Sequence, residues 1–237
     1  MTKGRLILIP NTLGGETIQS IIPEDVNHLT NSLRNFAVEE IKSARRLLRK
    51  MDRSFPIDEC NFIQLDKHSS VETLNAIIGN LLKGHDFGII SEAGCPGIAD
   101  PGAELVALAH ENDIKVMPCV GPSSILLSLI GSGFSGQTFS FHGYLPKERK
   151  ERIKKLKDFE GDTRRTGHTH IFMDTPFRNM HVLDDLLNEL ANQTYVCIAS
   201  NLTTNTESIK TMSVEKWRDE AYDLSKIPVI FLIGKKQ

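Results

Sequence analysis

The sequence predicts an α/β protein in two parts: an N-terminal, mostly parallel sheet with helices on both faces, and a smaller C-terminal α/β domain with a mixed sheet. Three observations lead there. Short continuous apolar runs, such as Leu6–Ile9 and Phe87–Ile90, have the composition of strands covered on both faces. Helical patterns alternate with such runs throughout the first half, and that alternation implies parallel pairing. Beyond Gly136 strands and helices follow one another less regularly, which points to a mixed sheet.

Composition narrows the class. Of 237 residues, 40% are hydrophobic and 24% charged, enough apolar material for a globular core. A formal charge of −2 argues against a protein that coats nucleic acid non-specifically, though it leaves room for a local basic patch. The cysteines Cys60, Cys95, Cys119 and Cys197 are scattered, with no spacing suited to a metal, and read as reduced thiols of a cytoplasmic protein. Met1–Ile9 is too short before Pro10 for a signal peptide. No apolar run approaches the ~20 residues that span a bilayer.

The elements follow in order. Leu6–Ile9 is a strand, and Pro10–Gly15 after it lacks the spacing and the lysine of a phosphate loop, so it reads as a strand-end loop. Pro23–Thr30 is a helix with Pro at its start. Asn35–Val38 is a strand, and Glu39–Met51 is a helix with Ile41, Ala44, Leu47 and Leu48 on one face. Phe62–Leu65 is a strand, and Asp66–Ser70 a polar loop whose Ser70 caps the helix Val71–Leu82, ended by Gly84. Phe87–Ile90 is a strand, Ala103–His110 a helix and Lys115–Val120 a strand. The helix Ile125–Ile130 follows, and Gly131–Gly136 is expected to be a hinge between the two parts, 1–120 and 121–237.

In the second part, Thr138–Tyr144 is a strand, Lys147–Lys157 a basic helical run and Gly161–His170 a polar loop. Ile171–Met173 and Tyr195–Ser200 are strands around the helix Asn179–Leu190. Val214–Glu220 is a short helix, and Pro228–Gly234 the last strand. The basic run is a solvated helix face or a phosphate contact. His168 and His170 have neither acidic partners nor a fixed spacing, so they make poor metal ligands.

Two stretches stand out as ligand loops. Ser91–Gly102 holds three glycines and two prolines in twelve residues, between a strand and a helix. A rigid loop at the C-terminal end of a strand is where an open α/β sheet binds its ligand. Gly121-Pro122-Ser123-Ser124 opens a helix, so its amides and hydroxyls either hold a polar ligand edge or simply cap that helix.

Ser-Glu-Ala-Gly-Cys-Pro-Gly-Ile-Ala-Asp-Pro-Gly at 91–102 resembles Ser-Asp-Ala-Gly-Thr-Pro-Gly-Ile-Ser-Asp-Pro-Gly, a signature of the small-subunit ribosomal RNA methyltransferase I group in the tetrapyrrole methylase superfamily. Val120–Ser124, Gly143–Lys147, Asp174–Arg178 and Leu202-Thr203 with Glu207 are similar, in the same order, to further motifs of that group. The resemblance implies S-adenosylmethionine as methyl donor, a donor cleft between two α/β domains, a homodimer, and 2′-O-methylation of ribosomal RNA in the small subunit; the cysteine and histidine spacing offers no metal site. It assigns Glu92, Gly94 and Cys95 to a first donor-binding loop, and Ser123, Ser124 and Ile125 to a second. Met173, Leu202 and Pro228 would be donor walls from the second domain. Val38–Lys42 resembles Ala-Glu-Asp-Thr-Arg and implies substrate-side roles for Glu40 and Lys42.

The chain also departs from the pattern. Glu92 stands for Asp, Phe177 for His, and Ser200–Thr204 for Arg-Glu-Leu-Thr-Lys. Two alternatives therefore stand beside the RNA enzyme: a methylase of a small molecule or tetrapyrrole, and a non-catalytic module that binds the donor.

Overall fold

The structure is a computed structural model that describes residues 2–15, 17–65 and 69–236. The chain divides between Ser123 and Ser124 into two compact units, and the second is only slightly the shorter. Gly121–Ser123 thus goes with the first unit, three residues past the expected boundary.

The first unit is a five-stranded parallel sheet in the order β3-β2-β4-β1-β5, formed by β1 (Arg5–Ile9), β2 (Asn35–Val38), β3 (Asn61–Gln64), β4 (Phe87–Ile90) and β5 (Lys115–Pro118). Its helices are α1 (Glu24–Asn31), α2 (Ile41–Met51), α3 (Val71–Leu82) and α4 (Ala103–Glu111). β4 is buried at all four residues, as a continuous apolar run between covered faces requires. Separate apolar clusters fill the two faces. One gathers Ile7, Phe36, Leu48 and Phe55, and the other gathers Leu6, Ile77, Leu81 and Phe87. Ser70 caps α3 by accepting from the Thr73 amide at 3.3 Å, as its sequence context predicts. Asp66–His68 of the expected polar loop lie outside the described residues.

The second unit is a mixed sheet in the order β6-β7-β10-β8-β9. Its strands are β6 (Phe139–Tyr144), β7 (Thr169–Met173), β8 (Tyr195–Ser200), β9 (Ser208–Ser213) and β10 (Val229–Gly234). Only β6 and β7 run parallel. Its helices are α5 (Ser124–Ser132), α6 (Arg149–Thr166), α7 (Asn179–Glu189) and α8 (Val214–Arg218). Trp217 is buried, and its indole N–H donates to the Val196 carbonyl at 3.0 Å, which satisfies its one polar atom. Among the described residues no helix is long and apolar enough to cross a membrane.

Three expectations fail here. The segment Gly131–Gly136 is no hinge, because Gly131 and Ser132 finish α5 and the Ser132 hydroxyl accepts from the Phe134 amide at 3.0 Å. Phe134 is buried against Gly234, where a Cβ would lie 2.3 Å from its ring. The polar stretch from Gly161 is helical through Thr166, and Gly167 ends α6 at φ +77°. Arg152, Leu156, Phe159 and Thr163 form its buried stripe, a helical spacing masked by dense charge. Strand β9 is absent from the expected elements, since Ser208–Ser213 is polar and sits at a sheet edge, where pairing with β8 holds it.

Three cations of the basic run in α6 pair with acids of α7. Arg152 and Asp185 are buried together, with Nε to Oδ2 at 2.8 Å, and Arg149 reaches the other carboxylate oxygen at 2.9 Å. Lys157 meets Glu189 at 2.9 Å. Part of the run is therefore structural. Replacing Arg152 with Ala leaves Asp185 buried with only Arg149, and should cost about 3 kcal/mol or more in chemical denaturation. A loss below about 1 kcal/mol would mean that the pair does not hold the two helices together.

Candidate active site

In a parallel sheet the C-terminal strand ends leave the chain on one edge, where ligands bind. β1 is an interior strand, with β4 on one side and the edge strand β5 on the other. Its exit, Pro10-Asn11, holds the exits of both neighbours. The Asn11 amide donates to the Gly94 carbonyl at 2.8 Å. Its side-chain NH2 donates to the carbonyls of Ser91 at 3.0 Å and Glu92 at 2.9 Å. Three carbonyls of the glycine-proline loop are thus fixed by one buried residue. On the other side a Cβ on Gly121 would lie 2.1 Å from the Pro10 Cβ, so only glycine lets the 119–123 segment close over β1. The Cys95 thiol completes the link, donating to the Pro122 carbonyl at 3.4 Å. Burial pushes that thiol above its usual range, which suits a packing role and not a nucleophile.

The structure therefore brings Gly94 and Cys95 beside the 121–123 segment within the first unit, with Glu92 two residues before Gly94 in the loop held by Asn11. Gly94 has φ +68°, and a Cβ there would sit 3.3 Å from Leu13 and 3.5 Å from the Pro122 carbonyl. Glu92 joins a second group at the exit of β2. Burial raises its carboxyl above the ordinary value of 4.5 against a hydrogen bond from Ser43, and the charges of Glu39 and Glu40 push the same way. One Glu39 carboxylate oxygen is buried without a partner. Glu40 is the N-cap of α2, accepting from the Lys42 amide at 2.9 Å and the Ser43 amide at 2.6 Å. The Lys42 amide, helped by that of Ser43, holds its carboxyl below the usual range. Lys42 itself is exposed in the first turn of α2.

In the second unit, strand register puts Met173, Leu202 and Pro228 at one edge. Met173 is opposite both Tyr144 and Ile230, and Ser200 is opposite Val229. The Asn201 amide donates to the Pro228 carbonyl at 3.1 Å. Leu202 is buried between two non-glycine residues with left-handed backbones, Asn201 at φ +49° and Thr203 at φ +68°. A β-branched residue there is strained, by about 1–3 kcal/mol, and strain of that kind gathers at ligand clamps. Glu207 ties the loop back by accepting from the Thr203 amide at 2.6 Å. Ser124 opens α5, and the Ile125 carbonyl accepts from the buried Ser128 hydroxyl at 2.9 Å.

Some of the buried polar atoms without partners lie at these edges: Asp174 Oδ2, Arg178 Nη1 and Thr203 Oγ1 in the second unit, and Glu39 Oε2 in the first; others, such as Asn27 Oδ1 and Asn31 Oδ1, lie in α1. Such atoms are costly unless something binds them. Within the second unit, Asp174 Oδ2 and Thr203 Oγ1 can accept from the ammonium, amine or hydroxyl groups of a nucleoside-linked amino acid, so the residues present there fit S-adenosylmethionine.

A third polar cluster lies within the second sheet. His142 Nε2 is 2.9 Å from His170 Nδ1, and His170 Nε2 is 3.1 Å from Asp162. Ser140 is 2.8 Å from His168 Nε2. Burial first, then the His170, Lys155 and His168 charges, pull His142 down from 6.5 to about 4. Among the described residues no group of three or more His, Cys, Asp or Glu could hold a metal ion.

The model of the tetrapyrrole (corrin/porphyrin) methylases matches residues 16–217. This chain belongs to the tetrapyrrole methylase family. It is therefore a methyltransferase by family, and the two-unit α/β fold expected from the resemblance is the fold found. Ribosomal RNA small subunit methyltransferase I of Halalkalibacterium halodurans is 29% identical over 92% of this chain and 72% of its own length. The enzyme of that name from Vibrio cholerae is 29% identical over 95% of this chain and 78% of its own. The solved uroporphyrin-III C-methyltransferase of Thermus thermophilus, complexed with S-adenosylhomocysteine, superposes with a TM-score of 0.57 at 14% identity, covering 98% of each chain. That last likeness is one of fold.

Sequence reading missed Asn11, although a lone Asn between Pro10 and Thr12 at a strand exit is a usable signal. Asn11→Ala frees the Ser91 and Glu92 carbonyls and should lower stability by about 1–3 kcal/mol in denaturant titration. An unchanged midpoint would show that the loop holds itself. The His142 imidazole should titrate near 4 by NMR, whereas a midpoint near 6.5 would show it to be solvated.

Proposed function

We propose that this methyltransferase moves a methyl group from S-adenosylmethionine to a ribose 2′-hydroxyl of small-subunit ribosomal RNA, acting as a cytoplasmic homodimer. The observation that carries the acceptor is the extent of the likeness: relatives named for that RNA align with nearly the whole chain and with about three quarters of their own lengths. The donor rests on family membership and on the unpartnered acceptors at the strand exits.

When bound, the donor supplies a methyl group activated by its neighbouring sulfonium, and the protein supplies alignment. We assign the polar edge of the donor to the Glu92–Cys95 carbonyl loop held by Asn11. The helix start at Ser123, Ser124 and Ile125 takes a second edge, and Met173, Leu202 and Pro228 wall the apolar part. Glu92 has a further role. Grouped with Glu39 and Glu40 and opposed by Arg46, it prefers a cationic ligand. That preference is complete only when its carboxyl is ionised, so donor affinity rises with pH through a value above 4.5.

A second reading keeps the donor and changes the acceptor to a small molecule or tetrapyrrole. It is favoured by the Ser200–Thr204 stretch, which carries no basic side chain, and by the pairing of α6 cations with α7 acids. Labelled methyl transfer to unmodified 30S subunits, run beside a metabolite extract, decides between them. Label in the RNA is expected, and label only in the metabolites would reverse the assignment. Titration calorimetry should show Glu92→Gln weakening S-adenosylmethionine several-fold and its uncharged-sulfur product less. Equal losses would remove Glu92 from the neighbourhood of the sulfonium.

A further inference from the structure

The turn leaving β7, Asp174-Thr175-Pro176-Phe177-Arg178, sets a phenylalanine in solvent. Phe177 is 79% exposed. An exposed aromatic alone is ordinary. What distinguishes this one is how firmly its backbone is held. Arg178 runs under the turn, with Nε 2.7 Å from Asp174 Oδ1 and Nη2 3.1 Å from the Leu145 carbonyl. The Thr175 amide donates to Asp174 Oδ1 at 2.6 Å, and the Arg178 amide to the Thr175 carbonyl at 2.8 Å. From the other flank the Lys226 amide donates to the Pro176 carbonyl at 3.1 Å. The ring stands on a fixed turn at the strand edge that carries Met173.

A second aromatic is aimed at that edge by a different device. Phe141 pairs with Ile171, but Tyr144 pairs with Met173, so β6 carries one extra residue. The bulge contains Gly143 at φ +64°, and it leaves Tyr144 53% exposed. Bulges re-aim side chains beside sites. Cations flank both rings. Lys147 follows Tyr144 by three residues, and Lys226 abuts Pro176; both are exposed, and among the described residues neither has an ion-pair partner. The nearby acids Glu207 and Asp223 accept from the Thr203 and Ser225 amides, and Glu148 is exposed at the start of α6.

Exposed, rigid aromatics interleaved with unpaired lysines are the features with which proteins hold single-stranded RNA, bases on the rings and phosphates on the cations. We propose that Phe177 and Tyr144 are stacking platforms for unpaired bases beside the methylated nucleotide, with Lys147 and Lys226 taking the adjoining phosphates. The assignment rests on the RNA-acceptor reading above and names the part of the protein that recognises that acceptor. It also gives Phe177, a departure from the family's histidine, a purpose: a larger apolar ring for stacking.

The test uses the full chain. In methyl transfer to unmodified 30S subunits, Phe177→Ala should raise KM about tenfold or more while kcat, donor affinity and oligomeric state stay as in the wild type. Phe177→Trp should keep the wild-type KM, and its added emission should be quenched by a short single-stranded oligoadenylate. Trp217 is buried and contributes a constant background. Lys147→Ala and Lys226→Ala should each lower the salt dependence of oligoadenylate binding by about one phosphate contact. A wild-type KM in Phe177→Ala, an emission from Phe177→Trp that the oligonucleotide leaves unchanged, or a change of oligomeric state in Phe177→Ala would each overturn the platform; the last would mean that a second copy of the chain covers the ring. A wild type that leaves 30S RNA unlabelled overturns the acceptor and the platform together, whereas an active wild type matched by Phe177→Ala overturns the platform alone.

Discussion

The exit of β1 is the constraint on which the first unit's binding edge depends. Pro10 and Asn11 lie between the two loops and touch both. Asn11 fixes three carbonyls of the Ser91–Glu92–Gly94 stretch, and Pro10 admits Gly121 at a distance no side chain could occupy. An interior strand is the right place for such a clamp, because its neighbours on both sides are hydrogen-bonded to it along their length. The loop geometry that a ligand would meet is therefore set by the sheet and not by the ligand, which is what preorganisation requires.

The second unit builds its edge differently. There the strands are mixed, so the exits of β7 and β8 meet the start of β10. Shape comes from strain and from a buried ion pair: two left-handed residues around Leu202, and Asp174 beneath the 174–178 turn with Arg178. Each element leaves a buried polar atom without a partner. Native interiors seldom tolerate that, and the places that do are usually where something else binds. The histidine cluster on β6 and β7 and the opposite sheet edge share none of these features. A cavity of about 440 Å3 opens there, lined by Glu160, Arg164, Tyr195, Gly234 and Lys236, and the Glu160 carboxylate is already occupied by the Ala191 amide and the Thr194 hydroxyl.

Much of the fold was legible because its signals are local. Stretches such as Phe36–Val38 and Phe87–Ile90 are unbroken apolar runs, and Ser70 is a cap in a capping context. What escaped is what tertiary contacts decide. The second half of α6 hides its buried stripe among charges, and Ser208–Ser213 becomes a strand only through β8. Gly131 reads as flexible until Ile209 is placed 2.6 Å from where its Cβ would be. At the strand exits, motif likeness marked the loops but not the residue that holds them. Glu40, read as a substrate group, serves as a helix cap, a role that its position before Ile41 would also have allowed.

The central proposal is that the strand-exit loops described above bind the methyl donor. Hydrogen–deuterium exchange with and without S-adenosylhomocysteine tests it most directly. The account predicts slowed exchange at 91–97, 121–125 and 200–204, with 193–195 and 234–236 unchanged. Protection confined to 193–195 and 234–236 would place the ligand in the cavity lined by Glu160 and Tyr195 and contradict it.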